Sequence, residues 1–192
     1  MSKQETSRKN RLSREDWLDF GLGILRDEGP QALKADPLCK RQGVTRGSFY
    51  WHFESAGAFM LAVVERWEAK ATGKIIEAVR QVDGGAAAQL RLLLAKVGEL
   101  DVRLYEAINK LGGQHPELAA VLRRVHDRRL EFVTQLLHAR GFDAEEARMR
   151  AQIVYAWAMG ELLTRARDQH AYTETQLDAV ERLLLTHQPP AS

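Results

Sequence analysis

The sequence predicts an all-α protein of about nine helices, with a small N-terminal helix-turn-helix unit ahead of a larger helical body. Three observations predict it. Apolar residues recur at helical spacing along most of the chain, and no alternating strand pattern runs beyond a few residues. Helix start and stop signals cut the chain into segments of helical length. Four aromatics, Phe49, Tyr50, Trp51 and Phe53, crowd into "GVTRGSFYWHF" (Gly43 to Phe53), directly behind a turn signal.

Composition bounds the rest. The chain has 192 residues, 45% apolar and 28% charged, which suits a globular protein. No apolar run approaches the ~20 residues of a membrane span, and the polar N-terminus carries no apolar leader core. Cys39 is the single cysteine, so there is no internal disulfide and no paired-cysteine zinc site; a reducing cytoplasm is expected. The net charge of +2 is uneven: Lys3, Arg8, Lys9, Arg11 and Arg14 stand against Glu5 alone in the first 14 residues. This arm reads either as a polyanion contact or as a solvated tail, and charge alone favours the tail.

The elements follow in order. Ser13 with Asp16 forms a capping box before a first helix carrying Trp17, Gly21, Ile24 and Leu25 on one stripe, and Gly29-Pro30 ends it. A second helix covers about 34–41, with Pro37 in its first turn. Gly43 breaks it, and Thr45 caps a third helix running to about Phe53. Ser55 caps a long fourth helix with Met60, Val64, Trp67, Ala71 and Ile75, stopped by Gly84-Gly85. The fifth spans about Ala87 to Leu100. The sixth carries Leu104, Ile108 and Leu111 up to Gly112-Gly113. Pro116 starts the seventh, whose stripe is Leu118, Leu122, Val125, Val133 and Leu137. Asp143 with Glu146 caps the eighth, and Thr173 with Gln176 the ninth; the closing "QPPAS" cannot continue a helix. A domain boundary is expected near Glu54, giving 1–54 and 55–192.

Within the helix-turn-helix, Phe49 and Phe53 lie four apart and share one inward face. The opposite face presents Thr45, Arg46, Ser48, Tyr50, Trp51 and His52. Thr45 and Arg46 stand at the N-terminal end, where a recognition helix meets base edges, and arginine can read guanine with two parallel bonds. Tyr50, Trp51 and His52 offer donors to phosphate oxygens. Gly47 lets backbone come close to DNA, which accounts for a residue costing about 1 kcal/mol of helix propensity. The plainer alternative is that the aromatics staple a helical bundle; it explains Phe49 and Phe53 fully.

"QGVTRGSFYWHF", preceded by "SREDWLDFGLGILRDEGPQAL", resembles the DNA-binding head of TetR-family transcriptional regulators over about residues 12–66. The resemblance implies that Thr45, Arg46 and Ser48 face bases, that Tyr50 and His52 grip phosphates, and that Trp51 lies at the interface. The lysine common in the family just after His-Phe is replaced by Ser55, Ala56 and Gly57. The resemblance also implies that 55–192 binds a small-molecule effector and forms a homodimer through the last two long helices. Small residues on the eighth helix, Ala147, Ala151, Ala156, Ala158 and Gly160, fit close packing of either kind, within a chain or between chains.

Five residues that interrupt apolar faces are the candidate effector contacts: Tyr105, Asn109, His126, Trp157 and Glu161. Each also reads as a hydrogen-bonded core or rim residue, and Glu161 can pair with Arg165. "GLGILR" at Gly21 lacks the third glycine and the preceding strand of a dinucleotide loop. No metalloprotease, serine-hydrolase or phosphate-loop motif occurs, so no enzyme activity, cofactor or metal is expected. The expected partners are an operator in double-stranded DNA, an effector and a second copy of the chain, and no membrane. The competing reading is an all-α carrier or enzyme whose helix-turn-helix is only structural.

Overall fold

The computed structural model describes residues 12–164 and 172–185. Most of the basic arm and the closing "QPPAS" lie outside the described residues, as does Arg165, the expected partner of Glu161. The described residues form helices α1 (Arg14–Glu28), α2 (Ala35–Gln42), α3 (Arg46–Tyr50), α4 (Ala56–Glu68), α5 (Lys74–Arg80), α6 (Gly85–Gly98), α7 (Val102–Gly112), α8 (Pro116–Ala139), α9 (Ala144–Thr164) and α10 (Glu174–Leu185). No strand occurs among them.

The caps are those that the sequence predicts. The Ser13 hydroxyl accepts from the Asp16 N–H at 3.1 Å, and the Asp16 carboxylate accepts from the Ser13 N–H at 2.9 Å. The Ser13 hydroxyl also donates to the Asp16 carboxylate at 2.7 Å, and this bond first, then the one from the Ser13 N–H, holds the carboxyl below its usual range. Asp143 Oδ1 accepts from the N–H groups of Glu145 and Glu146, and Thr173 exchanges bonds with Gln176.

The fourth predicted helix divides. α4 ends at Glu68, a π turn follows over Ala69–Gly73, and α5 resumes at Lys74. The chain also divides here into two compact units: residues through Glu68 together with 103–121, and 69–102 together with 122 onward.

In the first unit, α1 and α4 cross where Gly21 faces Phe59 and Val63. A Cβ on Gly21 would lie 2.7 Å from both side chains, so only glycine permits this approach. Asp19 clamps Arg66 of α4 with two bonds, at 2.9 and 3.0 Å. On α7, Tyr105, Ile108 and Leu111 are buried.

The second unit has its own core. Val79 of α5, Leu90 and Leu94 of α6, Leu137 of α8, Ala147 and Ala151 of α9, and Leu185 of α10 are almost fully removed from water. Burying a leucine or valine of this kind contributes about 1.5–3 kcal/mol.

Candidate nucleic-acid interface and effector cavity

The turn of the helix-turn-helix is set by Gly43, whose φ of 65° is left-handed and suits only glycine without strain. Its N–H reaches the Lys40 carbonyl, and the Val44 N–H returns to the Cys39 carbonyl. Leu38 and Cys39 are buried beside it. Burial raises the Cys39 thiol above its ordinary value, with Asp36 adding to the effect.

Thr45 caps α3, its hydroxyl accepting from the Ser48 N–H at 3.4 Å. α3 itself is shorter than the sequence suggests. Regular helix ends at Tyr50, about 7.5 Å long. Helical bonds from Trp51 N–H to Gly47 and from Phe53 N–H to Phe49 continue beyond it, while the His52 N–H shifts to an i−3 bond with Phe49 and tightens the turn.

Phe49 is fully buried and anchors α3 from behind. It meets Trp17 edge-on at 5.4 Å and Phe59 at 5.1 Å, and Phe53 closes the cluster 4.8 Å from Phe59. The opposite side is open. Thr45, Arg46 and Gly47 are exposed, and Ser48 is half-buried. Tyr50 is 43% exposed and Trp51 67%, among the most exposed large apolar side chains described. A Cβ on Gly47 would meet only the Thr45 hydroxyl, at an ordinary 3.6 Å. Nothing near it in the fold demands glycine.

Two residues of this face carry contacts that the sequence reading missed. Arg46 pairs with Asp36 of α2 at 2.9 Å, and its guanidinium lies 5.7 Å from the Tyr50 ring centre. Tyr50 first and then Asp36 raise its pKa further above the ordinary arginine value. His52 is half-buried, with Nε2 2.9 Å from the Leu12 carbonyl. A carbonyl only accepts, so Nε2 carries the hydrogen, and the ring ties the start of α1 to the turn that follows α3. Arg14 lies over the Phe53 ring, with 5.4 Å between guanidinium and ring centre.

The second unit contains a cavity of about 80 Å³ between the π turn, α5, α6, α8 and α9. Its wall is apolar, with Ile75, Leu94, Phe132, Val154 and Ala158 prominent. Thr72 and Arg129 supply polar groups. Arg129 Nε donates to the Thr72 hydroxyl at 2.8 Å and another guanidinium nitrogen to the Ala71 carbonyl at 3.2 Å. The five effector candidates do not form this wall. In the first unit, Tyr105 is buried against Trp67 at 6.2 Å, and Asn109 donates to the Tyr105 carbonyl. In the second, Trp157 packs against Tyr172 at 5.7 Å and Glu161 is half-buried. The His126 ring sits 5.5 Å from that of Tyr155, and desolvation followed by the Arg129 charge lowers its pKa.

The signal for Arg129 was present in the sequence. Leu118, Leu122, Val125, Arg129, Phe132 and Leu136 form one helical stripe, and a cation within it marks an internal partner. Asp36 gave no such signal, since its pairing depends on how α2 and α3 fold together.

α9 has a second apolar face. Met149, Ile153, Ala156, Gly160 and Leu163 follow one another at alternating spacings of four and three. Met149, Ile153 and Leu163 are 54%, 51% and 74% exposed, and Leu183 of α10 is exposed as well. The small residues therefore divide: Ala147, Ala151 and Ala158 enter the core, while Ala156 and Gly160 lie on the second face.

No family model and no curated protein matches the sequence. Solved structures do share its fold. E. coli NemR in reduced form is 19% identical with a TM-score of 0.73, covering 91% of this chain and 99% of that one. A TetR/AcrR-family transcriptional regulator from Thermobifida fusca is 17% identical with a TM-score of 0.66, covering 90% and 96%. A transcriptional regulator from Saccharomonospora viridis, solved with choline, is 14% identical with a TM-score of 0.66, covering 89% and 92%. No described helix is long and apolar enough to cross a membrane.

Proposed function

We propose that this chain, which has the fold of TetR/AcrR-family regulators, is a sequence-specific DNA-binding transcriptional regulator, a ligand-responsive repressor working as a cytoplasmic homodimer. One observation carries the reading: a short helix pinned by buried Phe49 and Phe53 presents Thr45, Arg46, Ser48, Tyr50 and Trp51 outward around a glycine that the fold itself does not require. Thr45, Arg46 and Ser48 read base edges, and the ion pair with Asp36 orients Arg46. Gly47 admits close backbone approach. Tyr50 and Trp51 contact phosphates. His52 has given its Nε2–H to Leu12 and adds a phosphate donor only as imidazolium.

The reading segment, 1–54, lies in the first compact unit; 55–192, assigned to effector binding and dimerisation, includes the whole of the second. A homodimer through α9 and α10 is supported by the exposed stripe from Met149 to Leu163. Two-fold partners would read half-sites about 34 Å apart or a multiple of that. An effector in the cavity touches Ala71 and Thr72, next in the chain to α4. Coupling of about 1–3 kcal/mol along that segment would change operator occupancy roughly 5–150-fold. Tyr105, Asn109, His126, Trp157 and Glu161, the contacts expected from the sequence, lie outside the wall of this cavity.

The test is selection from a randomised duplex pool, followed by gel shift on the enriched sequence and on the gene's own upstream region. A two-fold-symmetric site, lost in Arg46→Ala, is the expected result. Enrichment of no sequence at low salt would end this reading. The cavity gives one rival support, a helical small-molecule carrier or enzyme with a structural head; that rival expects Arg46→Ala to change nothing in its activity.

A further inference from the structure

The wall of the cavity in the second unit narrows what can occupy it. Two cations stand in that wall, and each is already engaged. Arg129 donates to Thr72 and to the Ala71 carbonyl, and Lys96 pairs with Glu99 at 2.6 Å. The remaining surface is supplied mainly by aliphatic and aromatic side chains.

The geometry points to a small, uncharged, apolar molecule, of the size of one aromatic ring or a compact branched hydrocarbon, as the ligand of this cavity. A carboxylate entering it would lose its water and find the Arg129 bonds directed elsewhere. An ammonium would likewise lose its water against a wall that offers it almost no polar surface. Neither cost falls on a neutral molecule, which exchanges water for apolar contact. Size sets the second limit. About 80 Å³ is roughly half of an engineered 150 Å³ cavity that admits benzene, so a single ring enters only as the wall adjusts, and fused rings are excluded.

This inference deepens the ligand-responsive reading and rests on it, but binding is measured without DNA, so either can fail alone. The full-length protein is titrated with toluene, benzoate and benzylamine, one ring in three charge states, following methyl NMR signals and the thermal midpoint. Toluene is expected to saturate one site and raise the midpoint with the logarithm of its concentration. Benzoate and benzylamine are expected to bind at least about 100-fold more weakly. Ala158→Leu, which fills the cavity, should weaken toluene about tenfold or more while circular dichroism stays native. Leu93→Ala, which enlarges it, should admit naphthalene, and it serves independently if Ala158→Leu folds poorly. Equal binding of a charged probe, no saturation by toluene, toluene binding untouched by Ala158→Leu, or no gain of naphthalene binding in Leu93→Ala would each overturn the inference.

Discussion

Gly21 and Gly23 lie two residues apart on α1, and alanine at each should shift stability in opposite directions. Both substitutions remove an interior helix glycine, which by itself favours the folded state by roughly 0.5–1 kcal/mol. At Gly23 a new Cβ meets nothing within 4 Å, so that gain is realised. At Gly21 the Cβ would stand 2.7 Å from Phe59 Cζ and from Val63 Cγ2. Carbon contacts settle near 3.5–4.0 Å, so α1 and α4 must separate, or Phe59 and Val63 must both move, by about 1 Å. Overpacking of this kind costs about 1–3 kcal/mol. The propensity gain is common to both variants, so the difference between them isolates the steric cost, about 1–3 kcal/mol. For a chain of this length that difference is roughly 2–12 °C in thermal midpoint. Urea and thermal unfolding followed by circular dichroism measure it. Phe59 also supports Phe49 and Phe53, so Gly21→Ala should weaken DNA binding while Gly23→Ala leaves it intact. Equal midpoint shifts of the same sign would refute the reasoning that α1 and α4 meet at Gly21.

Four further outcomes are expected. Arg46→Ala lowers affinity for the selected duplex roughly ten- to hundredfold and relaxes one base position, with the thermal midpoint unchanged because Arg46 and Asp36 are both exposed; fluorescence anisotropy on matched and single-mismatch duplexes reads this. Trp51→Ala leaves unfolding free energy within about 0.5 kcal/mol and weakens DNA binding, as gel shift would record. Gly160→Arg or Ile153→Arg, on the outward stripe of α9, yields a folded monomer in analytical ultracentrifugation; an unchanged dimer would place the interface elsewhere. His126 has a folded-state pKa below its ordinary value, so the unfolded chain takes up its proton first on acidification. Its contribution is therefore complete above about pH 6.5 and declines as pH falls below it, and urea titrations at pH 7.5 and 5.5 should converge for His126→Gln.

Local chemistry was legible wherever the responsible groups lie within a few residues of each other. The Ser13–Asp16 box, the Thr45 cap, the left-handed Gly43 and the Thr173–Gln176 box each follow from short-range bonding, and each occurs. The inward pair Phe49 and Phe53 followed from i,i+4 spacing alone. The division of the fourth helix was not legible, since 69–73 contains nothing that must leave α geometry. The Ala71 carbonyl there is taken by Arg129, 58 residues away.

By itself, then, the sequence determined an all-α chain, the position of its helix-turn-helix and which side of α3 faces out, because periodicity and capping act over one or two turns. Only the tertiary structure decided that His52 is tied to Leu12, that Arg46 is held by Asp36, and that the cavity is walled by Thr72, Arg129 and aliphatic side chains rather than by the polar residues singled out beforehand. Those pairings join groups distant in sequence, and which distant groups meet depends on how whole helices pack, information that no single helix carries.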